Sequence, residues 1–123
     1  MFNHVMVGTN DVEKARTFYD AALGALGHKA APVPGIALYP SDTGTFAAIP
    51  PRDGKPATCA NGGTIAFRAK SPADVDAFHA AGLANGGTCE GAPGVREESP
   101  TKMYGAYLRD PDGNKVCAFA PNR

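Results

Sequence analysis

The sequence predicts an α+β domain of two tandem βαβββ modules whose sheets curl into an incomplete, barrel-like surface with a concave pocket. Three observations carry this. The chain resembles itself at an offset of sixty residues, each copy holds one capped amphipathic segment, and short β-like runs are punctuated by 15 Gly and 11 Pro. Length and composition agree: 123 residues, 43% hydrophobic and 20% charged, suit one soluble domain. The expected domain covers 1–123, with a module over about 1–50, a linker over about 51–61 and a module over about 62–123.

The offset lays His4-Val5-Met6-Val7 on Thr64-Ile65-Ala66-Phe67, Phe18 on Phe78, Ala21 on Ala81, Leu23 on Leu83 and Gly27 on Gly87. The first β-like runs are therefore 3–8 and 64–68. A helix follows over about Asp11–Leu23, with Asn10 as N-cap, Glu13 as its capping-box partner, and Val12, Ala15, Phe18, Tyr19 and Ala22 on one face. The second helix, about Pro72–Ala84, starts at Ser71 with Pro72 in its first position and turns Val75, Phe78, Ala81 and Leu83 inward. Asn85-Gly86-Gly87 stops it. Further strands are expected at 29–31, 36–39 and 46–49, then at 88–90, 104–109 and 115–119. Turns at 40–44 and 110–114 join the last two strands of each half. A four-stranded sheet covered by one helix leaves its other face bare, and that face calls for a partner or a ligand.

Twelve basic and twelve acidic side chains cancel, and the pI is 6.8. Neither nucleic acid nor an anionic membrane finds the basic field it needs, so a small-molecule partner is expected. No apolar run reaches membrane-spanning length, and Met1-Phe2-Asn3-His4 leads directly into a strand-like run without a basic leader, so a cytoplasmic protein is expected. Cys59, Cys89 and Cys117 are odd in number and widely spaced, which reads as buried free thiols rather than a disulfide framework.

The opening His4-Val5-Met6-Val7, then Asn10-Asp11-Val12-Glu13-Lys14-Ala15, Phe18-Tyr19, Leu23-Gly24, Gly63-Thr64-Ile65-Ala66-Phe67 and Tyr107-Leu108-Arg109-Asp110-Pro111-Asp112-Gly113-Asn114-Lys115 together resemble the vicinal oxygen chelate superfamily. This is the group of glyoxalase I, bleomycin-resistance proteins and extradiol dioxygenases. The resemblance spans essentially the whole chain. It implies a divalent metal (Zn, Ni, Fe or Mn) on the inner sheet face, acting as a Lewis acid on paired substrate oxygens. It also implies a homodimer.

Carried over residue by residue, the resemblance puts His4 at the first ligand position and Thr64 at the second. Matching the hairpins through Gly44 and Gly113 puts Ala48 and Cys117 at the last two. Only His4 is a strong donor, with Cys117 a second if the two face each other to hold zinc. The pocket implied is His4, Met6, Ala48, Thr64, Tyr107, Cys117 and Phe119, with Tyr107 as candidate catalytic acid or hydrogen-bond donor. The plain alternatives are a hydrogen-bonding His4, a packing Tyr107 and a space-filling Cys117. Arg96, Glu97 and Glu98 read as a solvated loop or as a lid bringing Arg96 over an anion, and His28 and His79 as surface or boundary residues. Three functions stand against one another. The first is a small-molecule binder on the concave face, without a complete metal site. The second is a metal-dependent lactoylglutathione-lyase-like or dioxygenase enzyme using replacement ligands such as Cys117, Glu97 or Glu98. The third is a non-catalytic drug-sequestering protein.

Overall fold

The computed structural model describes residues 1–122. The elements run β1 (His4–Gly8), α1 (Val12–Gly24), β2 (Ala37–Tyr39), β3 (Thr45–Ile49), β4 (Ile65–Arg68), α2 (Pro72–Ala84), β5 (Thr88–Val95), β6 (Tyr104–Arg109) and β7 (Lys115–Ala120). They form two mixed sheets, β1-β3-β2 and β4-β7-β6-β5, with no closed barrel. In each, the module's first strand lies parallel to its last, and the remaining pairs are antiparallel. None of the helices described is long and apolar enough to cross a membrane.

The second half is the expected βαβββ unit, and the first lacks one strand. Residues 29–31 supply only an isolated bridge, Ala31 to Leu38. Pro32 and Pro34 cannot donate to a ladder, and the Arg16 guanidinium instead takes the carbonyls of Val33 (2.8 Å) and Ile36 (2.8 Å).

The N-cap of α1 is Asp11, not Asn10: its carboxylate accepts from Lys14 N at 3.1 Å, while Glu13 pairs with Arg16. Asn10 is used differently. Its side chain donates to Ala57 O (3.1 Å) and accepts from Ala57 N (2.7 Å), holding the linker against the domain. Ser71 caps α2 as expected, accepting from Asp74 N at 3.3 Å. Ser71→Ala and Asp11→Ala should each lower stability by about 1 kcal/mol, measured as a shift in the urea midpoint with unchanged slope.

Both helices end alike, but one residue out of step with the offset of sixty. His28 N bonds to Leu23 O (3.0 Å) around a left-handed Gly27 (φ 91°), and Gly87 N bonds to Gly82 O (2.9 Å) around a left-handed Gly86 (φ 99°). The inward residue of the last turn of α2 is therefore Gly82, and Leu83 is exposed.

One core lies between the helices and the sheets. Phe18 meets Tyr19 edge-on at 4.8 Å, Tyr19 meets Phe46 at 4.8 Å, and Phe46 meets Phe67 at 5.1 Å, so aromatic contact runs unbroken from one half to the other. Cys117 is buried, whereas Cys59 and Cys89 are exposed, contrary to expectation. His79 is more buried than a surface residue, and its Nε2 lies 3.2 Å from Cys89 Sγ.

Candidate functional site

Side chains alternate across a strand, and cross-strand partners share a face, so the registers sort the candidates. In the first sheet, His4 and Met6 pair with Thr45 and Ala47 on the face away from α1. Val7 pairs with Ala48, and Ala48 is fully buried in the core beneath the helix. Ala48 therefore does not share a face with His4. The hairpin match slipped by one residue because Asn114 lengthens the second turn, and a one-residue slip changes the face. The true counterpart of Cys117 is Ala47, since Met6 pairs with Ala47 as Ala66 pairs with Cys117.

In the second sheet, Val116, Ala118, Leu108 and Ala106 pack into the core, leaving Lys115, Cys117, Phe119 and Tyr107 on the opposite face. Tyr107 and Cys117 are direct cross-strand partners, and the Phe119 ring meets the Tyr107 ring edge-on at 5.6 Å. Two cations sit over that ring, Arg96 at 5.4 Å and Lys115 at 5.0 Å. Arg96 is half-buried. It folds back over β5, donating to Ala92 O at 2.8 Å, and Gly91 leaves it room: a Cβ there would lie 3.2 Å from its guanidinium.

Burial, with Cys117 alongside, raises the Tyr107 phenol above its ordinary value, so it stays protonated at neutral pH and its hydroxyl can donate. Burial also pushes the Cys117 thiol up to about 12, and its Sγ donates to Ile65 O at 3.7 Å. A protonated, buried thiol is a poor nucleophile.

The main cavity, about 490 Å³, is a cleft where the edge strands β1 and β4 face each other. Leu23, Leu26, Phe46 and Phe67 form its apolar wall, and His4, His28, Arg68 and Lys70 lie around it. Of the expected pocket residues only His4 lines this cleft. Met6 lines a second cavity, about 400 Å³, where the linker crosses the first sheet. Thr64 stands just before β4, and Tyr107, Cys117 and Phe119 belong to the open face beyond it. His4 Nδ1 lies 2.8 Å from Asn3 Oδ1, which can only accept, so this ring nitrogen is the donor of the pair.

The donor set does not fit a divalent metal. Thr64 offers a neutral hydroxyl and Ala48 and Ala47 offer nothing, which leaves His4 and Cys117, two donors where a divalent metal needs three or more. Among the described residues no three His, Cys, Asp or Glu side chains gather at one point.

The motif Asp110-Pro111-Asp112-Gly113-Asn114 serves structure. Asp110 Oδ2 accepts from the buried Tyr19 hydroxyl at 2.6 Å and from Asn114 Nδ2 at 2.9 Å, while Oδ1 accepts from the backbone of Asp112 (2.9 Å) and Asn114 (2.8 Å). Asn114 Nδ2 reaches Gly8 O (3.1 Å), and Asn10 N donates to Asp112 Oδ1 (2.9 Å), tying the second half to the end of β1.

Among solved structures, a glyoxalase/bleomycin resistance protein from Albidiferax ferrireducens T118 is 53% identical, with 97% of each chain covered and a TM-score of 0.89. A glyoxalase-related enzyme from Fulvimarina pelagi (18% identity, 98% of this chain and 87% of that one, TM-score 0.76) shares the fold. So does a lactoylglutathione lyase from Agrobacterium tumefaciens (19% identity, 98% and 92%, TM-score 0.67). No curated protein matches. The family model for the Glyoxalase/Bleomycin resistance protein/Dioxygenase superfamily matches residues 1–118, and the chain belongs to that superfamily.

Proposed function

We propose that this protein binds a small organic molecule in the cleft between β1 and β4 and works without the family's complete metal set. The carrying observation is the pairing of a 490 Å³ apolar-walled cleft with a degraded donor set, in which His4 alone keeps a strong ligand. A cavity of this size, apolar with a few convergent polar groups, has the character of a ligand site. Three unpaired cysteines are compatible with a reducing, cytoplasmic setting, and the unpaired outer edges of β2 and β5 favour a homodimer.

Elemental analysis of protein purified without chelator tests the metal half of this reading. Zinc, nickel, iron and manganese should each be far below one per chain, and His4→Ala should not change that. One equivalent of metal that disappears in His4→Ala would overturn it in favour of a metal-dependent lyase or dioxygenase. Screening metabolites for thermal stabilisation tests the binding half, since a ligand selective for the folded state raises the melting temperature.

A further inference from the structure

We infer that the ligand of this cleft is an amphipathic anion, an apolar body carrying a carboxylate or phosphate head. This rests on the binding role proposed above and names the class of molecule. Apart from the Tyr39 phenol, every ionisable side chain lining the cleft is a basic type (His4, His28, Arg68 and Lys70), and no Asp or Glu lines it. Asp42, between the lining residues Ser41 and Thr43, is not among them.

The bias is local, because the chain as a whole carries equal numbers of acidic and basic groups. Three basic side chains outside the cleft pair with carboxylates, Arg16 with Glu13, Arg109 with Glu90 and Lys102 with Glu97. Among the described residues Arg68 and Lys70 have no such partner. Tyr39, which also lines the cleft, gives its hydroxyl to Asp20 at 2.7 Å and so presents mainly its ring.

The two halves of the cleft thus call for two kinds of chemistry in one molecule. The wall of Leu23, Leu26, Phe46 and Phe67 takes hydrocarbon out of water. Arg68 offers a planar fork suited to a carboxylate or phosphate, and Lys70 adds a point charge two residues along. A cation would meet two like charges. A neutral amide would keep the apolar contact and lose the charge-assisted bonds.

The test compares four probes of one chain length, octanoate, octyl phosphate, octanamide and octylammonium, by chemical-shift mapping and calorimetric titration. Octanoate or octyl phosphate should perturb Leu23, Phe46 and Phe67 and bind at least about tenfold more tightly than octanamide. The stronger of the two identifies the head group. Octylammonium should bind least. Arg68→Ala with Lys70→Ala, both exposed positions, should remove the anion's advantage, leave octanamide unchanged and flatten the salt dependence. Equal binding of octanoate and octanamide, unaffected by the double substitution, would overturn the charge assignment and leave the cleft standing as a binding site. Shifts confined to the Tyr107 face, or no binding by any probe, would overturn the cleft assignment as well.

Discussion

Asp110→Ala should lower stability by about 3–5 kcal/mol and the melting temperature by roughly 10 °C or more, because one buried carboxylate satisfies four donors. Asp110 is 4% exposed and Tyr19 is fully buried, so water cannot replace what is lost. Truncation leaves the Tyr19 hydroxyl and the Asn114 amide with donors facing a void. Asp110→Asn, which keeps the shape and one acceptor, should cost less than half as much. Thermal and urea unfolding of the two variants read the difference, and equal losses would show that volume rather than hydrogen bonding is at stake. The same pair governs alkaline behaviour. Burial first, and Asp110 next, hold the Tyr19 phenol well above its ordinary value. Above about pH 10 the unfolded chain ionises this tyrosine while the folded one does not, so stability falls as pH rises. Below that pH the group contributes no slope. Tyr19→Phe should flatten the alkaline limb.

Gly87→Ala should cost about 3 kcal/mol, at the upper end for overpacking. A Cβ there would overlap Phe18 Cε1 and lie 2.9 Å from Gly82 O and 3.0 Å from Arg109 O. Two of these three neighbours are backbone, so no rotamer change relieves them. Gly24→Ala is the matched control, since a Cβ at Gly24 meets nothing within 4 Å, and its effect should stay within about 1 kcal/mol. Urea titration of both variants checks the contrast. A small loss for Gly87→Ala would mean that α2 and the start of β5 can separate more easily than their packing indicates.

A repeat at sixty, two capped helices and Gly- and Pro-marked turns were enough for the architecture, because periodicity and turn chemistry are local properties. Gly27 corresponds to Gly86 rather than Gly87, since helix ends are set by which carbonyl the chain closes on around the left-handed residue. Asn10 and Asp11 are equally good caps in isolation. The choice fell to Asp11 because the Asn10 amide fits the backbone of Ala57, 47 residues away. Ala48 lies on the core face because one extra residue in the second turn shifts the match between the hairpins, and face depends on the parity of a residue count.

His4 was legible because a family motif carries it. Arg68 and Lys70 were not, for an exposed charge at the end of a short strand has no pattern of its own. Their significance comes from facing a wall built by α1 and β3. The aspartate of the second turn was legible as a motif, but its task was not: the Tyr19 hydroxyl it receives comes from 91 residues earlier.

The bonds from Asn114 and Asp112 to Gly8 and Asn10 close on one end of β1, and the cleft opens at the other end, beside His4. The two modules are therefore fastened at one end of β1, while at the other end His4 stands at the mouth of the cleft. The turn at 110–114 is thus at once the end of a hairpin and the clasp between the two copies of the repeat.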